Sequence, residues 1–133
     1  VCLDLIDFAG WQEIPEQYKD RPFHEHNRLI KSSALNADER RETAREMAKR
    51  IRASTTPAHV ILTTQGIEEW DRPGEPAHDP EALAEFCDEM RKVMTPPIHF
   101  TELDCHINDQ AFTDEALEIF DAWVADGTIK TAV

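Results

Sequence analysis

Groups that can bind protons or metal ions follow one another closely in the segment ELDCHINDQAF, residues 102–112. An apolar run ends there, and Asp104, His106 and Asn108 are spaced two residues apart. On an extended backbone alternate side chains point to the same side, so these three are expected to share one face. Mg²⁺ prefers oxygen ligands, whereas a carboxylate with a histidine suits zinc. Asp104 and His106 are therefore the candidate metal ligands.

The same segment also permits a purely structural role. Asn108 or Asp109 can cap the helix that follows, since short polar side chains accept hydrogen bonds from the first free N–H groups of a helix. His106 would then form a hydrogen bond across the loop. The residue types alone leave both roles open.

Two further motifs carry polar groups. WDRPG, residues 70–74, has the composition of a turn, because Pro fixes φ and Gly permits a positive φ. Its Asp71 and Arg72 either meet a ligand or pair internally. HEHN places His24 and His26 two residues apart. Because no third metal ligand is near, these histidines are expected to fix a loop or to contact an interface rather than to bind a metal ion. No GxxxxGK[ST] or GxGxxG loop is present, so any nucleotide site lacks the usual phosphate cradle.

Three segments pair a β-branched run with an amphipathic helix, which predicts three βα units. Asn36 with Glu39 forms a capping-box pattern, and Asp79 with Pro80 marks another helix start. The predicted strands are 28–33, 59–66 and 98–104, followed by helices at 37–54, from residue 80, and ending near residue 125. The last helix carries one wide apolar face of Phe112, Ala116, Ile119, Phe120, Trp123 and Val124. VCLDLID would add a fourth strand, and residues 9–27 are expected to be irregular.

Strands that alternate with helices favour a Rossmann-like, three-layer α/β domain with a mostly parallel sheet, because parallel neighbours need a crossover. Ligands of such sheets bind outside the carboxyl ends of the strands. The loops after the three predicted strands therefore supply the candidate ligand-binding residues, which are Ser32, Ser33, Gln65, Gly66, Asp71, Arg72, His106 and Asn108.

Length and composition fit a single α/β domain over residues 1–133, with 41% hydrophobic residues. The net charge of −13 would repel phosphate backbones and anionic membranes, which excludes nucleic acid and a membrane surface as direct partners. No apolar run approaches the ~18 residues of a transmembrane helix. Three cysteines without CxxC spacing suit a reducing, cytoplasmic compartment.

Four stretches taken in order resemble one known family. LDLIDF, RPFHEHN, QGIEEWDRPGEPAHDPEA and ELDCHINDQAF are similar to the C-terminal part of the Tm-one-like ATP-binding proteins, named after a tomato mosaic virus resistance protein. The resemblance implies two α/β domains that together bind ATP, expected with Mg²⁺, although the family's reaction is not established. It also implies an N-terminal domain as a partner, and a TIM-barrel companion in many members. The chain opens inside an apolar stretch without Met, so it is expected to be a fragment of a larger two-domain protein.

Three functions follow as hypotheses. The first is nucleotide binding by loops at the carboxyl ends of the strands. The second is a metal-dependent hydrolase in which Asp104 and His106 activate a water, which would make the protein an enzyme. The third is a docking or oligomerisation module, because an uncovered sheet edge pairs readily with another chain and favours a homo-oligomer.

Overall fold

The computed structural model describes residues 3–130, which contain five strands, three α-helices and two short 3₁₀-helices. The strands are β1 (Leu5–Ala9), β2 (His24–Asn27), β3 (Ile30–Ala34), β4 (His59–Thr63) and β5 (His99–Leu103). The α-helices are α1 (Ala37–Ala53), α2 (Pro80–Val93) and α3 (Gln110–Ala125), and the 3₁₀-helices are Glu16–Tyr18 and Glu69–Asp71. The first two residues of the predicted strand VCLDLID lie outside the described residues.

The first three strands form an antiparallel sheet in the order β1-β3-β2. A tight turn joins β2 to β3, where the Asn27 side chain accepts the N–H groups of Leu29 and Ile30 at 2.7 and 3.2 Å. So short a connection allows only antiparallel pairing. The prediction of an irregular stretch over residues 9–27 is therefore wrong for β2, whose HEHN sequence lacks the β-branched residues typical of strands.

The remaining two strands form a parallel pair. β4 and β5 run in register from His59 opposite His99 to Thr63 opposite Leu103, with α2 as the crossover between them. The α/β class is confirmed, but one mostly parallel sheet is not observed in residues 3–130. The first predicted βα unit differs because its strand, β3, joins the antiparallel sheet instead of the parallel pair.

The core lies between the parallel pair and helices α1 and α2. Ala44 and Ala48 of α1 pack with Leu62 of β4 and with Phe86 and Met90 of α2, and all five are at most 2% exposed. Helix α3 lies on the opposite face of β4, where His59 and Ile61 line a groove with its apolar side chains. No residue of α3 is buried, and Leu117 and Phe120 are about half exposed.

Two predicted helix starts are confirmed. The Asn36 side chain accepts the Glu39 N–H at 3.0 Å while the Glu39 carboxylate accepts the Asn36 N–H at 2.9 Å, which forms a complete capping box on α1. Asp79 caps α2 by accepting the Ala82 N–H at 2.9 Å. None of the helices in the described part of the chain is long and apolar enough to cross a membrane.

Candidate functional site

A cavity of about 390 Å³ opens at the carboxyl ends of β4 and β5. The loop after β4, the WDRPG turn, the beginning of α2 and the loop after β5 all border it. The polar residues that line it are Thr64, Gln65, Asp71, Arg72, His78, Asp79, Arg91, His106 and Asp109. Four of the eight predicted ligand-binding residues, Gln65, Asp71, Arg72 and His106, therefore line one cavity, as expected from the position of loops at this edge of a parallel sheet.

A buried pair joins the two loops that follow the parallel strands. The Nε2 atom of His106 lies 3.0 Å from Asp71 Oδ1 and 2.9 Å from the Glu68 carbonyl oxygen. The other carboxylate oxygen of Asp71 accepts the Ile67 N–H at 2.5 Å. Both side chains are buried. The pair thus fastens the loop after β5 to the turn after β4 and fixes one wall of the cavity.

Both nitrogens of His106 are occupied by this arrangement. Its Nδ1 atom accepts the Asn108 N–H at 3.1 Å, so the ring carries its hydrogen on Nε2 and donates it towards Asp71 and Glu68. Neither nitrogen is left to take a proton from a bound molecule. The geometry assigns His106 a positioning role and gives no support to a general base at this atom.

Gly66 makes the close approach of this pair possible. Its backbone φ is +135°, and a Cβ atom at this position would overlap Asp71 Oδ1 and the His106 ring. Its carbonyl oxygen accepts the Thr63 hydroxyl at 2.7 Å and the Ile107 N–H at 3.0 Å. Gly66, predicted as a ligand-binding residue, is therefore the backbone position around which the two loops close.

Asp104 and His106 do not share one face. The chain bends directly after Leu103, which ends the strand alternation on which that expectation rests. Asp104 is exposed and accepts hydrogen bonds from Gln65 Nε2 at 2.6 Å and from the Thr64 hydroxyl at 3.0 Å. These bonds, Gln65 first, lower the pKa of Asp104.

A metal site held by protein side chains alone receives no support from the residues that the structure describes. Within residues 3–130, no three His, Cys, Asp or Glu side chains are arranged to hold one ion. Asp104 and His106, the predicted ligand pair, have separate hydrogen-bond partners.

Asn108 was predicted either to face a ligand or to cap α3, Asp109 was predicted as the alternative cap, and neither role describes their hydrogen bonds fully. Asp109 is the residue before α3, but its carboxylate accepts the His106 N–H at 2.9 Å and makes no cap to the helix. Asn108 is exposed, and its side chain donates to Glu69 Oε2 at 2.8 Å. The hydrogen bonds from Arg72 and then from Asn108 lower the pKa of Glu69. Asn108 therefore braces the turn after β4 against the loop after β5, and Asp109 Oδ1 lies 3.7 Å from Arg72 Nη2 of the same turn.

The two predicted serines lie away from the cavity. Ser32 and Ser33 are buried within β3, where the Ser32 hydroxyl donates to Asp7 Oδ1 at 2.6 Å and the Ser33 hydroxyl donates to the Pro22 carbonyl at 3.0 Å. They were expected at the carboxyl end of a parallel strand, and β3 is instead the middle strand of the antiparallel sheet. The structure does not bring them together with the other candidates.

The histidines of HEHN pack against the turn that borders the cavity. The rings of His24 and His26 lie 4.3 and 5.1 Å from the Trp70 ring, measured between centroids. Trp70 directly precedes Asp71 in the chain. This contact links the antiparallel sheet to the turn, as the expected loop-fixing role requires.

Three charged residues near the pair are buried, which the sequence did not predict. Asp4, Arg40 and Glu68 are each at most 6% exposed, and each has at least one buried side-chain atom without a hydrogen-bond partner. Burial raises the pKa of Asp4 and the pKa of Glu68, and in Glu68 the nearby Asp4 and Asp71 charges add to the effect. No local pattern marks these residues, because their burial arises only when three distant segments meet.

The two cysteines in the described part of the chain, Cys87 and Cys105, lack the features of nucleophiles. Cys87 borders the cavity from α2, but burial raises the pKa of its thiol to about 11. Burial also raises the pKa of Cys105. Both thiols therefore stay protonated near neutral pH.

Comparison with known proteins places the chain in a family. A model of the C-terminal domain of the uncharacterised protein family UPF0261 matches residues 1–124. A UPF0261 protein of Brucella melitensis is 47% identical over 128 residues, which cover 96% of this chain and 31% of the relative. A UPF0261 protein of Mesorhizobium japonicum is 28% identical over 122 residues, and the ToMV resistance protein Tm-1 of tomato, Solanum lycopersicum, is 26% identical over 121 residues.

The last two matches each cover 90% of this chain. They cover 31% of the length of the Mesorhizobium protein and 16% of the length of the tomato protein. The chain thus spans about 31% of the length of its bacterial relatives. The similarity to the tomato protein agrees with the resemblance that the four sequence stretches suggest. The chain belongs to the UPF0261 family and corresponds to its C-terminal domain.

Proposed function

We propose that the cavity at the carboxyl ends of β4 and β5 binds a nucleotide, ATP with Mg²⁺, and that other segments of a family-length protein add further contacts to it. One observation carries the proposal: the cavity lies where the parallel strands end and α2 begins, and two arginines and two histidines border it. Its volume of about 390 Å³ falls within the range of small-molecule sites.

The basic side chains at the cavity suit phosphate groups. Arg72, Arg91 and His78 line it, and the beginning of α2 at Pro80 presents the positive end of a helix dipole. Acidic neighbours hold the arginines in place: Arg72 Nε lies 3.0 Å from Glu69, and Arg91 Nε lies 2.7 Å from Glu102. Phosphate oxygens would compete with these carboxylates for guanidinium groups that are already positioned.

Carboxylates at the same cavity fit the metal that accompanies ATP. Asp109 lines the cavity, and carboxylate oxygens are ligands that Mg²⁺ accepts while it keeps waters and substrate phosphates. Asp109 would hold the ion together with the nucleotide. Mg²⁺ would supply charge neutralisation of the phosphates.

The wider architecture belongs to the same proposal. Helices lie on both faces of the β4–β5 pair, and this arrangement suits a Rossmann-like, three-layer domain whose remaining strands come from the rest of a family-length protein. The hydrolase hypothesis has no comparable support, since His106 has no free nitrogen and Asp104 has other partners.

Isothermal titration calorimetry with ATP and Mg²⁺ tests the proposal. Arg72→Ala removes a cavity guanidinium and is expected to weaken ATP binding about tenfold. Arg50→Ala on α1 is the matched control, because Arg50 also bonds one glutamate through Nε, at 2.9 Å, and lies outside the cavity. Absence of ATP binding by the unaltered protein, or equal loss in both variants, would reject the assignment.

A further inference from the structure

The strand β4 has one hydrogen-bonded neighbour in residues 3–130, which is β5. Its three middle residues, Val60, Ile61 and Leu62, form a continuous apolar run, as is typical of a central strand in a parallel sheet. Edge strands usually carry charges, prolines or bulges that prevent further pairing. The composition of β4 therefore indicates a strand with neighbours on both sides.

The hydrogen bonds show which groups of β4 lack a partner strand. The Thr64 N–H donates to the Leu103 carbonyl at 3.0 Å. Because N–H groups alternate in direction along a strand, those of Val60 and Leu62 also point to β5. The N–H groups of Ile61 and Thr63 consequently point to the opposite edge.

A cavity of about 180 Å³ runs along that opposite edge. Four consecutive residues of β4, 60–63, line it, whereas a cavity on one face of a strand would be lined by alternate residues only. Leu3 and Met47 border it, together with Ile107 and Phe112, and no residue of β5 does. The space beside the unpaired edge is thus mainly apolar.

We propose that this edge of β4 receives a β-strand from the part of a family-length UPF0261 protein that lies outside the matched residues. The bacterial relatives supply such a part, since the chain spans 31% of their length. The backbone carbonyl oxygens of an extended apolar segment would accept hydrogen bonds from the outward N–H groups of Ile61 and Thr63, and its side chains would fill the cavity. The inference concerns strand pairing and stands independently of nucleotide binding.

Hydrogen–deuterium exchange with mass spectrometry can compare this protein with the intact Brucella melitensis relative. In the intact relative, the strand aligned with β4 is expected to exchange at least about tenfold more slowly than β4 does here, because its outward amides gain acceptors. The strand β5 is the internal control. Its outward amides, those of Phe100 and Glu102, belong to the other edge, and their exchange is expected to match between the two proteins.

Two outcomes would overturn the proposal. Fast exchange of the outward β4 amides in the intact relative would show that no strand pairs there. If the same amides already exchange slowly in this protein and light scattering shows a dimer, a second copy of the chain occupies the edge.

Discussion

At Gly66 two independent constraints meet in one residue. The positive φ is disfavoured for residues with a side chain, and the space for a Cβ atom is already taken by Asp71 and His106. Gly74 is a useful contrast, since its φ of +95° imposes the first constraint while no atom lies within 4 Å of a Cβ added there. A comparison of the two glycines separates backbone strain from crowding.

We therefore expect Gly66→Ala to be more damaging than Gly74→Ala. Gly74→Ala should cost about 1 kcal/mol of unfolding free energy, which is typical of a residue forced to positive φ. Gly66→Ala should cost about 2 kcal/mol more, because the Asp71–His106 pair must separate. Urea denaturation of both variants measures the difference, and equal losses would show that the pair does not lie against Gly66.

Glu68 links stability to pH. Burial raises its pKa in the folded protein above the ordinary value of 4.5, so the folded state keeps this proton to a higher pH than the unfolded chain does. Folding then takes up a proton between the ordinary and the raised pKa, and the contribution of Glu68 to stability falls as the pH rises through that window.

The variant Glu68→Gln cannot ionise and should lose this dependence. Its stability relative to the unaltered protein is expected to increase as the pH rises from about 4 into the neutral range, because the unaltered protein loses the contribution of protonated Glu68 there. Urea denaturation across this range provides the measurement, with Glu118→Gln on the exposed face of α3 as a control of equal charge change. A pH-independent difference between Glu68→Gln and the unaltered protein would contradict the link.

At the scale of elements, local signals in the sequence predicted the helices well. Helix α1 has Asn36 as its N-cap and Glu39 at position N3, and α2 has Asp79 as its N-cap and Pro80 at position N1. Such capping signals lie within a few residues of the chain and need no information on tertiary structure. Strand pairing could not be predicted in the same way. Whether β3 joins β2 or β4 depends on the length of the connection and on β2, whose HEHN sequence is not strand-like.

The capping box of α1 makes a prediction at this scale. Asn36→Ala removes the acceptor of the Glu39 N–H and is expected to lower the unfolding free energy by about 1 kcal/mol. Asp38→Ala, in the same first turn, removes an exposed salt bridge with Arg41 and should lower the unfolding free energy by only about 0.3 kcal/mol. Thermal unfolding by circular dichroism compares the two, and equal effects would show that the cap contributes nothing beyond a surface charge.

For the molecule as a whole, the position of the cavity was more predictable than the contacts around it. The rule that ligands bind at the carboxyl ends of parallel strands located Gln65, Asp71, Arg72 and His106 around one cavity. The roles of the buried Asp4, Arg40 and Glu68 arise from contacts between distant segments, which no pattern in the chain reports. Ser32 and Ser33 were misplaced for a similar reason, because the topology of β3 is a property of the whole fold.

A titration of isotope-labelled protein with ATP and Mg²⁺, followed by amide NMR, tests nucleotide binding at this cavity most directly. The amides of Gln65, Gly66 and Asp79 are expected to shift with one saturable dependence on ATP concentration, because they border the cavity or its loop. The amides of the antiparallel sheet around Ser32 should stay unchanged. Saturable shifts centred on that sheet, or no shifts at millimolar ATP, would contradict the proposed site.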